Sequence, residues 1–336
     1  MRNIILKTII AALFALFPAM GLAAELNGAG ATFPSNLYNA WINTYKTLTT
    51  NLDIKYDAVG SGEGISRFSS GSVDFGATER PMTAAEMQAV PEGVLHIPST
   101  AGMVVVAYNL PGARADLRLS RKALAGIMNG KIKTWNHQLI REANPGAKLP
   151  AKPITIVARN DSSGTSFAFT THLIEIGGAK NRSAVNFEWP PNSVTATGNK
   201  GVAERIQKSP YSLGYIEYSF ALEVGLKTAW LENKAGQFVR ASIATGAAAL
   251  ESSLRQMPAD GRQIIPDPVG EHAYPIVSYS WILVRKEQAD REKAYLLRHL
   301  IYWGLNEGQF MARDNGYIPL PPPVAARAAE ILSSMH

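Results

Sequence analysis

Short apolar runs and helical repeats alternate along this chain of 336 residues. Residues 52–59 (LDIKYDAV), 73–78 (VDFGAT), 102–109 (GMVVVAYN), 154–159 (ITIVAR) and 213–219 (LGYIEYS) read as strands. Between them, Leu37, Trp41, Tyr45 and Leu48 recur at the spacing of one helix face. So do Leu124, Ile127 and Met128, and later Leu296, Leu297, Leu300, Ile301 and Leu305. Alternating strands and helices predict an α/β fold with a mainly parallel sheet covered on both faces. The stretch AWLENKAGQFVRAS around Gly236 predicts a hairpin. Near the end, PLPPPVAARAAEIL predicts a rigid turn followed by a short terminal helix. Two hydrophobic runs, 102–109 and 275–284, are candidates for crossings between domains, which periodicity alone does not establish.

The most informative segment is ARNDSSGTSFAFTTHL, residues 158–173. A strand ends at Arg159, a hydroxyl- and Gly-rich turn follows, and an amphipathic helix begins. The first N–H groups of a helix lack internal partners and carry about half a positive charge. Gly164 allows close approach, Ser163 and Thr165 add hydroxyl donors, and Arg159 supplies a fixed cation. The plainer alternative is a capped helix whose Arg159 pairs with Asp161. Two other turns repeat the logic. In GAGATFPSNLYNAWINTY, Thr32 and Phe33 precede Pro34, which is expected at the first helical position. In GSGEGISRF, Ser61 is expected to cap a short helix. Ligands of open α/β sheets bind at such strand ends, so three hydroxyl turns with one Arg point to an oxyanion site.

Composition supports a soluble, well-packed protein, with 46% hydrophobic and 18% charged residues. The net charge of +6 comes without Lys/Arg runs or aromatic–basic interleaving, which argues against a nucleic-acid partner. The start, MRNIILKTIIAALFALFPAMGLAA, reads as a secretory signal over residues 1–23, with Pro18 and Gly21 interrupting any membrane span. The absence of cysteine excludes disulfides, thiolate metal sites and a lipidated cysteine. An exported chain without a lipid anchor is expected in a Gram-negative periplasm, with no membrane insertion after signal cleavage.

Nucleotide and catalytic motifs fail on inspection. GAGATF has Phe33 where a dinucleotide fingerprint needs its third Gly, and NGKI around Lys131 is no P-loop. No zinc-ligand helix and no G-x-S-x-G elbow occur. His96, His137, His172 and His272 are expected on the surface or in loops. The sequons at 160–162 and 181–183 read as chance.

In this order, GAGATFP, VDFGAT, NGKIKTWN, NPGAKLP, RNDSSGTSFAFT, GNKGVAERI, LGYIEYSFA and GYIPLP resemble the periplasmic phosphate-binding proteins of high-affinity phosphate ABC importers. The resemblance covers nearly the whole chain after residue 23. It implies a two-domain type II periplasmic binding fold, each domain a mainly parallel sheet flanked by helices, joined by two crossing segments. Residues 24–105 with 280–336 would form one domain and 106–279 the other. Carried over position by position, the phosphate site would comprise Ala31, Thr32, Phe33, Ser61, Glu79, Arg159, Ser163, Gly164 and Thr165, with Asp161 supporting Arg159. The resemblance implies a monomer that binds inorganic phosphate and docks on a membrane permease, with no metal, cofactor or catalysis.

One position departs from the pattern. After VDFGA the family usually has Ser-Asp, whose carboxylate accepts a hydrogen bond from the proton on phosphate. Here Thr78 and Glu79 stand there, followed by Arg80 and Pro81. Glu79 keeps the acceptor but adds a methylene, so it must retract or the cleft must widen, with pairing to Arg80 as the competing arrangement. A receptor for another oxyanion, a phosphate binder used in sensing or secretion, and a hydrolase using Ser61 or Ser163 are the alternative functions.

Overall fold

The computed structural model describes residues 24–113, 115–179, 184–191 and 193–336. The secretory signal and the 181–183 sequon lie outside them. The strands are β1 (Ala24–Gly30), β2 (Leu52–Ala58), β3 (Phe75–Thr78), β4 (Val94–Asn109), β5 (Arg118–Leu119), β6 (Thr155–Arg159), β7 (Ser193–Ala196), β8 (Ser212–Glu217), β9 (Lys227–Thr228), β10 (Trp230–Glu232), β11 (Phe238–Val239) and β12 (Val277–Arg285). The helices are α1 (Ser35–Leu48), α2 (Ser61–Ser69), α3 (Ala84–Gln88), α4 (Arg121–Met128), α5 (Gln138–Ala143), α6 (Gly164–Glu175), α7 (Gly198–Lys208), α8 (Tyr218–Glu223), α9 (Ile243–Glu251), α10 (Arg291–Leu305) and α11 (Pro322–Ser333).

The main sheet runs in the order β2-β1-β3-β12-β4-β8-β6-β7, with β9 also on β4. Within it β1 is parallel to β2 and β3, and β6 is parallel to β7 and β8. The antiparallel pairs involve the two long strands, β4 and β12. Residues 94–103 of β4 pair with β12, whereas residues 104–109 pair with β8. One continuous strand thus belongs to both lobes of the curled sheet. β4 is buried along nearly all of its length, and its register with β12 shifts between Ser280 and Trp281. Such an irregularity bends a strand and re-aims side chains.

The predicted strands appear as β2, β3, β4, β6 and β8, and the Gly236 hairpin as β10–β11. β4 begins eight residues before the expected 102, because LHIPSTA is buried on both faces and carries no alternation to read. Pro34 occupies the position before α1, not its first helical position, and α1 starts at Ser35. Ser61 is not a cap either. Gly60 holds the cap position with φ +97°, and Ser61 is the first residue of α2. Only glycine fits there: a Cβ on Gly60 would fall 2.8 Å from Asp161 Oδ2 and 2.9 Å from the Ser162 carbonyl.

His96 and His172 are buried rather than superficial. Burial pushes His96 down to about 3 and His172 down to about 4, so both are neutral near pH 7. The imidazole Nε2 of His96 accepts from the Met82 N–H at 3.0 Å, and Nδ1 of His172 lies 3.0 Å from the Pro266 carbonyl. Both rings are structural links between loops and their supporting elements. No helix among the described residues is long and apolar enough to cross a membrane.

Candidate functional site

The C-terminal ends of β1, β2, β3 and β6 face one another, and each strand delivers its turn to the same place. The turn after β1 carries Ala31, Thr32 and Phe33, all buried. Both backbone groups of Ala31 are engaged: its N–H donates to the Ala77 carbonyl at 2.9 Å and its carbonyl accepts from Tyr56 Oη at 2.7 Å. The Phe33 carbonyl accepts from Tyr317 Oη at 2.6 Å. The turn is therefore fixed from behind, and the hydroxyl of Thr32 is its free side-chain donor.

Arg159 ends β6, and its fork is clasped by Asp161. Nε donates to Oδ1 at 2.6 Å, and Nη2 donates to Oδ2. Burial opposes ionisation of Asp161, but the hydrogen bonds and charge of Arg159 outweigh it and hold the carboxyl below its ordinary range. The plain pairing and the supporting role foreseen for Asp161 are thus one contact. Nη1 of Arg159 reaches Thr165 Oγ1 at 3.3 Å. Ser163 caps α6 by accepting from the Ser166 N–H at 3.0 Å, leaving its own hydroxyl proton available. Gly164 opens the helix, with its first N–H groups lacking intrahelical acceptors.

Glu79 follows β3 and is buried. Its Oε2 accepts from Ser61 Oγ at 3.2 Å and its Oε1 accepts from Ser280 Oγ at 2.9 Å. Arg80 does not pair with it. That guanidinium turns away to Glu86, with contacts of 2.9 and 2.7 Å. Burial raises Glu79 to about 7, against the opposing pull of the Ser280 and Ser61 hydroxyls and of Arg159. The carboxylate also abuts the start of α6, since a Cβ on Gly164 would fall 2.2 Å from Ser61 Oγ and 2.4 Å from Glu79 Oε2. Glycine is what lets this helix terminus approach the opposing lobe.

The two lobes are in contact around this cluster. The Gly62 N–H donates to the Ser162 carbonyl at 3.0 Å, and Asn36 Nδ2 reaches Ser219 Oγ at 3.2 Å. Ser61, Glu79, Arg159, Ser163 and Thr165 are all buried beneath these contacts. The arrangement concentrates hydroxyl donors, a helix N-terminus and one guanidinium around a single carboxylate. Chemically, that set suits an oxyanion that carries a proton, which the carboxylate can accept.

Sequence reasoning missed two members of the cluster. Ser280 lies inside the apolar run PIVSYSWILV, where a hydroxyl on a buried strand was a legible signal. Asn199 follows Gly198, whose φ of +69° starts α7, and its amide contacts both Thr32 and Thr165. The motif GNKGVAERI contains it, but nothing local marks an Asn at a helix start as more than a turn residue.

Comparison with known proteins gives one picture. Residues 19–306 match the family model of a PBP superfamily domain. The phosphate-binding protein PstS of Xylella fastidiosa (strain 9a5c) is 35% identical over 304 residues, covering 89% of this chain and 82% of the relative. That of Pasteurella multocida (strain Pm70) is 35% identical over 320 residues, covering 94% and 92%. Among solved structures, a high affinity periplasmic phosphate-binding protein (PfluDING) bound with phosphate superposes with a TM-score of 0.72 at 22% identity, covering 90% of this chain and 92% of that one. The fold is the type II periplasmic binding fold, and the chain belongs to the PstS family of phosphate-binding proteins within the PBP superfamily.

Proposed function

We propose that this protein is a receptor for inorganic phosphate that delivers its ligand to the permease of an ABC importer. The carrying observation is the convergence, between two lobes, of a donor-rich cluster on one buried carboxylate. In this reading the anion is held by the Thr32 hydroxyl, the Phe33 N–H, Ser61, the Arg159 guanidinium and the Ser163–Gly164–Thr165 start of α6. Ala31, with both backbone groups engaged inside the protein, shapes the first turn. Asp161 orients Arg159, and Glu79 accepts the proton of HPO4 2− or H2PO4−. Donors from both lobes are needed, so phosphate favours the closed form and the permease reads that form.

The same reading divides the chain into residues 24–105 with 280–336 and residues 106–279, with crossings in β4 and in the stretch around 275–284. It takes residues 1–23 as an export signal to the periplasm and the mature protein as a monomer without a lipid anchor. No chemistry is done on the ligand. The hydrolase alternative has one observation in its favour, the 3.2 Å separation of Ser61 Oγ and Glu79 Oε2. That carboxylate is equally engaged by Ser280, and Ser61 Oγ accepts from the Glu79 N–H at 3.3 Å, which suits a fixed donor better than a nucleophile.

Equilibrium dialysis of the purified chain against radiolabelled phosphate tests the proposal. Saturable retention at one site per chain is expected, displaced by arsenate and resistant to sulfate, with no turnover of an aryl phosphate. Absence of retention, or displacement by sulfate as readily as by arsenate, contradicts it.

A further inference from the structure

Asn199 is fully buried at the second position of α7, and every polar atom of its side chain is spoken for. Its Oδ1 accepts from the backbone N–H of Glu217 at 2.9 Å. A carbonyl oxygen can accept from that N–H and an amide NH2 cannot, so the orientation of the side-chain amide is settled by chemistry. Nδ2 must then face the other way, and there it meets two hydroxyls: Thr32 Oγ1 at 2.9 Å and Thr165 Oγ1 at 3.1 Å.

The consequence lies in the hydrogens of those hydroxyls. A threonine hydroxyl has one proton and two lone pairs. Thr165 Oγ1 receives Asn199 Nδ2 and Arg159 Nη1, the latter at 3.3 Å. Thr32 Oγ1 receives Asn199 Nδ2 and, at a longer 3.4 Å, the Asn199 N–H. Both oxygens have their lone pairs taken, so both protons are left to donate elsewhere. Thr32 and Thr165 come from opposite lobes, and one amide sets the polarity of both.

We infer that Asn199 is a positioning residue that fixes Thr32 and Thr165 as donors toward the bound anion and sets the Thr32 donor only when the lobes close. This rests on the phosphate reading above. It explains why a buried, neutral amide stands where the lobes meet: without it each hydroxyl could turn a lone pair toward the ligand and repel an oxyanion. It also leaves Glu79 as the acceptor in a set otherwise polarised to donate. The Gly198 N–H, one residue earlier, donates to Asp161 Oδ1 at 3.1 Å, so the start of α7 also braces the partner of Arg159.

A double-mutant cycle read by phosphate calorimetry tests the inference. Asn199→Ala should weaken phosphate binding about tenfold, and Asn199→Asp about a hundredfold or more, because a carboxylate would draw both hydroxyl protons to itself. In a Thr32→Val/Thr165→Val background, where no hydroxyl remains to orient, Asn199→Ala should cost less than about twofold. Should Asn199→Ala fold poorly, Asn199→Ser, which keeps a small polar group, runs the same cycle. Additive losses, or an Asn199→Ala protein binding phosphate like the wild type, would overturn the inference. Failure of the wild-type chain to bind phosphate would instead overturn the reading on which it rests.

Discussion

Ser280 on β12 donates its hydroxyl to Oε1 of Glu79 at 2.9 Å, joining the strand that lies between β3 and β4 to the acidic residue of the candidate site. One carboxylate oxygen is drawn toward the strand, while the other lies beside Ser61 and the start of α6. The Glu79 carboxylate is therefore held by hydroxyl donors, not by pairing with Arg80.

Selectivity should depend on this carboxylate. Sulfate has no proton to offer it, whereas phosphate does. Glu79→Gln presents an NH2 that can donate to either anion, so the phosphate-to-sulfate affinity ratio should fall by about tenfold or more, an energy near 1.4 kcal/mol. Glu79→Asp should keep the ratio. Competition calorimetry with both anions reads it, and an unchanged ratio in Glu79→Gln would remove Glu79 from selection.

Stability should carry the same signature. Glu79 rises from 4.5 to about 7 on folding, so between those values the folded chain holds a proton that the unfolded chain has released. Its contribution is complete below pH 4.5 and is lost as the pH climbs through 7. The groups facing it are Ser61, Ser280, Arg159 and the buried Tyr38, Tyr56 and Tyr317. Glu79→Gln removes the titration, so the ligand-free variant should gain on the order of 1–3 kcal/mol relative to wild type between about pH 5 and about pH 8. Urea denaturation at the two pH values measures the difference. A constant difference would mean that Glu79 does not titrate in this range.

Closure should be driven by the ligand. The contacts Gly62–Ser162, Asn36–Ser219 and Thr32–Asn199 all cross between the lobes and can form only when these are together. Small-angle scattering should therefore show a smaller radius of gyration with saturating phosphate than without it. The melting temperature should rise with phosphate concentration, because the anion binds only the folded state. A radius unchanged on confirmed binding would place the ligand-free chain already in the closed form.

Most of this architecture was legible in the sequence for physical reasons. β6 and β8 are short, largely apolar runs bounded by turn residues, β2 starts with apolar residues alternating with charged ones, and α1 and α10 repeat their apolar residues at helical spacing. The three hydroxyl turns could be read because Gly, Ser and Thr at strand ends have local meaning. What escaped is what depends on tertiary approach. Gly60 took the cap position from Ser61 because a neighbouring turn comes within contact of it, and sequence spacing carries no trace of that. His96 and His172 looked superficial because a lone polar residue gives no sign that distant loops will cover it. Asn199 and Ser280 act through residues 167 and 201 positions away.

The central claim, that phosphate is held between the lobes with Arg159 as its cation, is tested most directly by titrating phosphate into wild type and Arg159→Ala side by side. The guanidinium is buried and already oriented by Asp161, so its charge-assisted bond to the anion should be worth about 1.5–3 kcal/mol. Calorimetry should show one site per wild-type chain and a loss of at least about tenfold in the variant, with Arg159→Lys a poor substitute because it lacks the planar fork. Both proteins should unfold cooperatively. An Arg159→Ala protein that binds phosphate within about twofold of wild type would contradict the account and place the anion elsewhere.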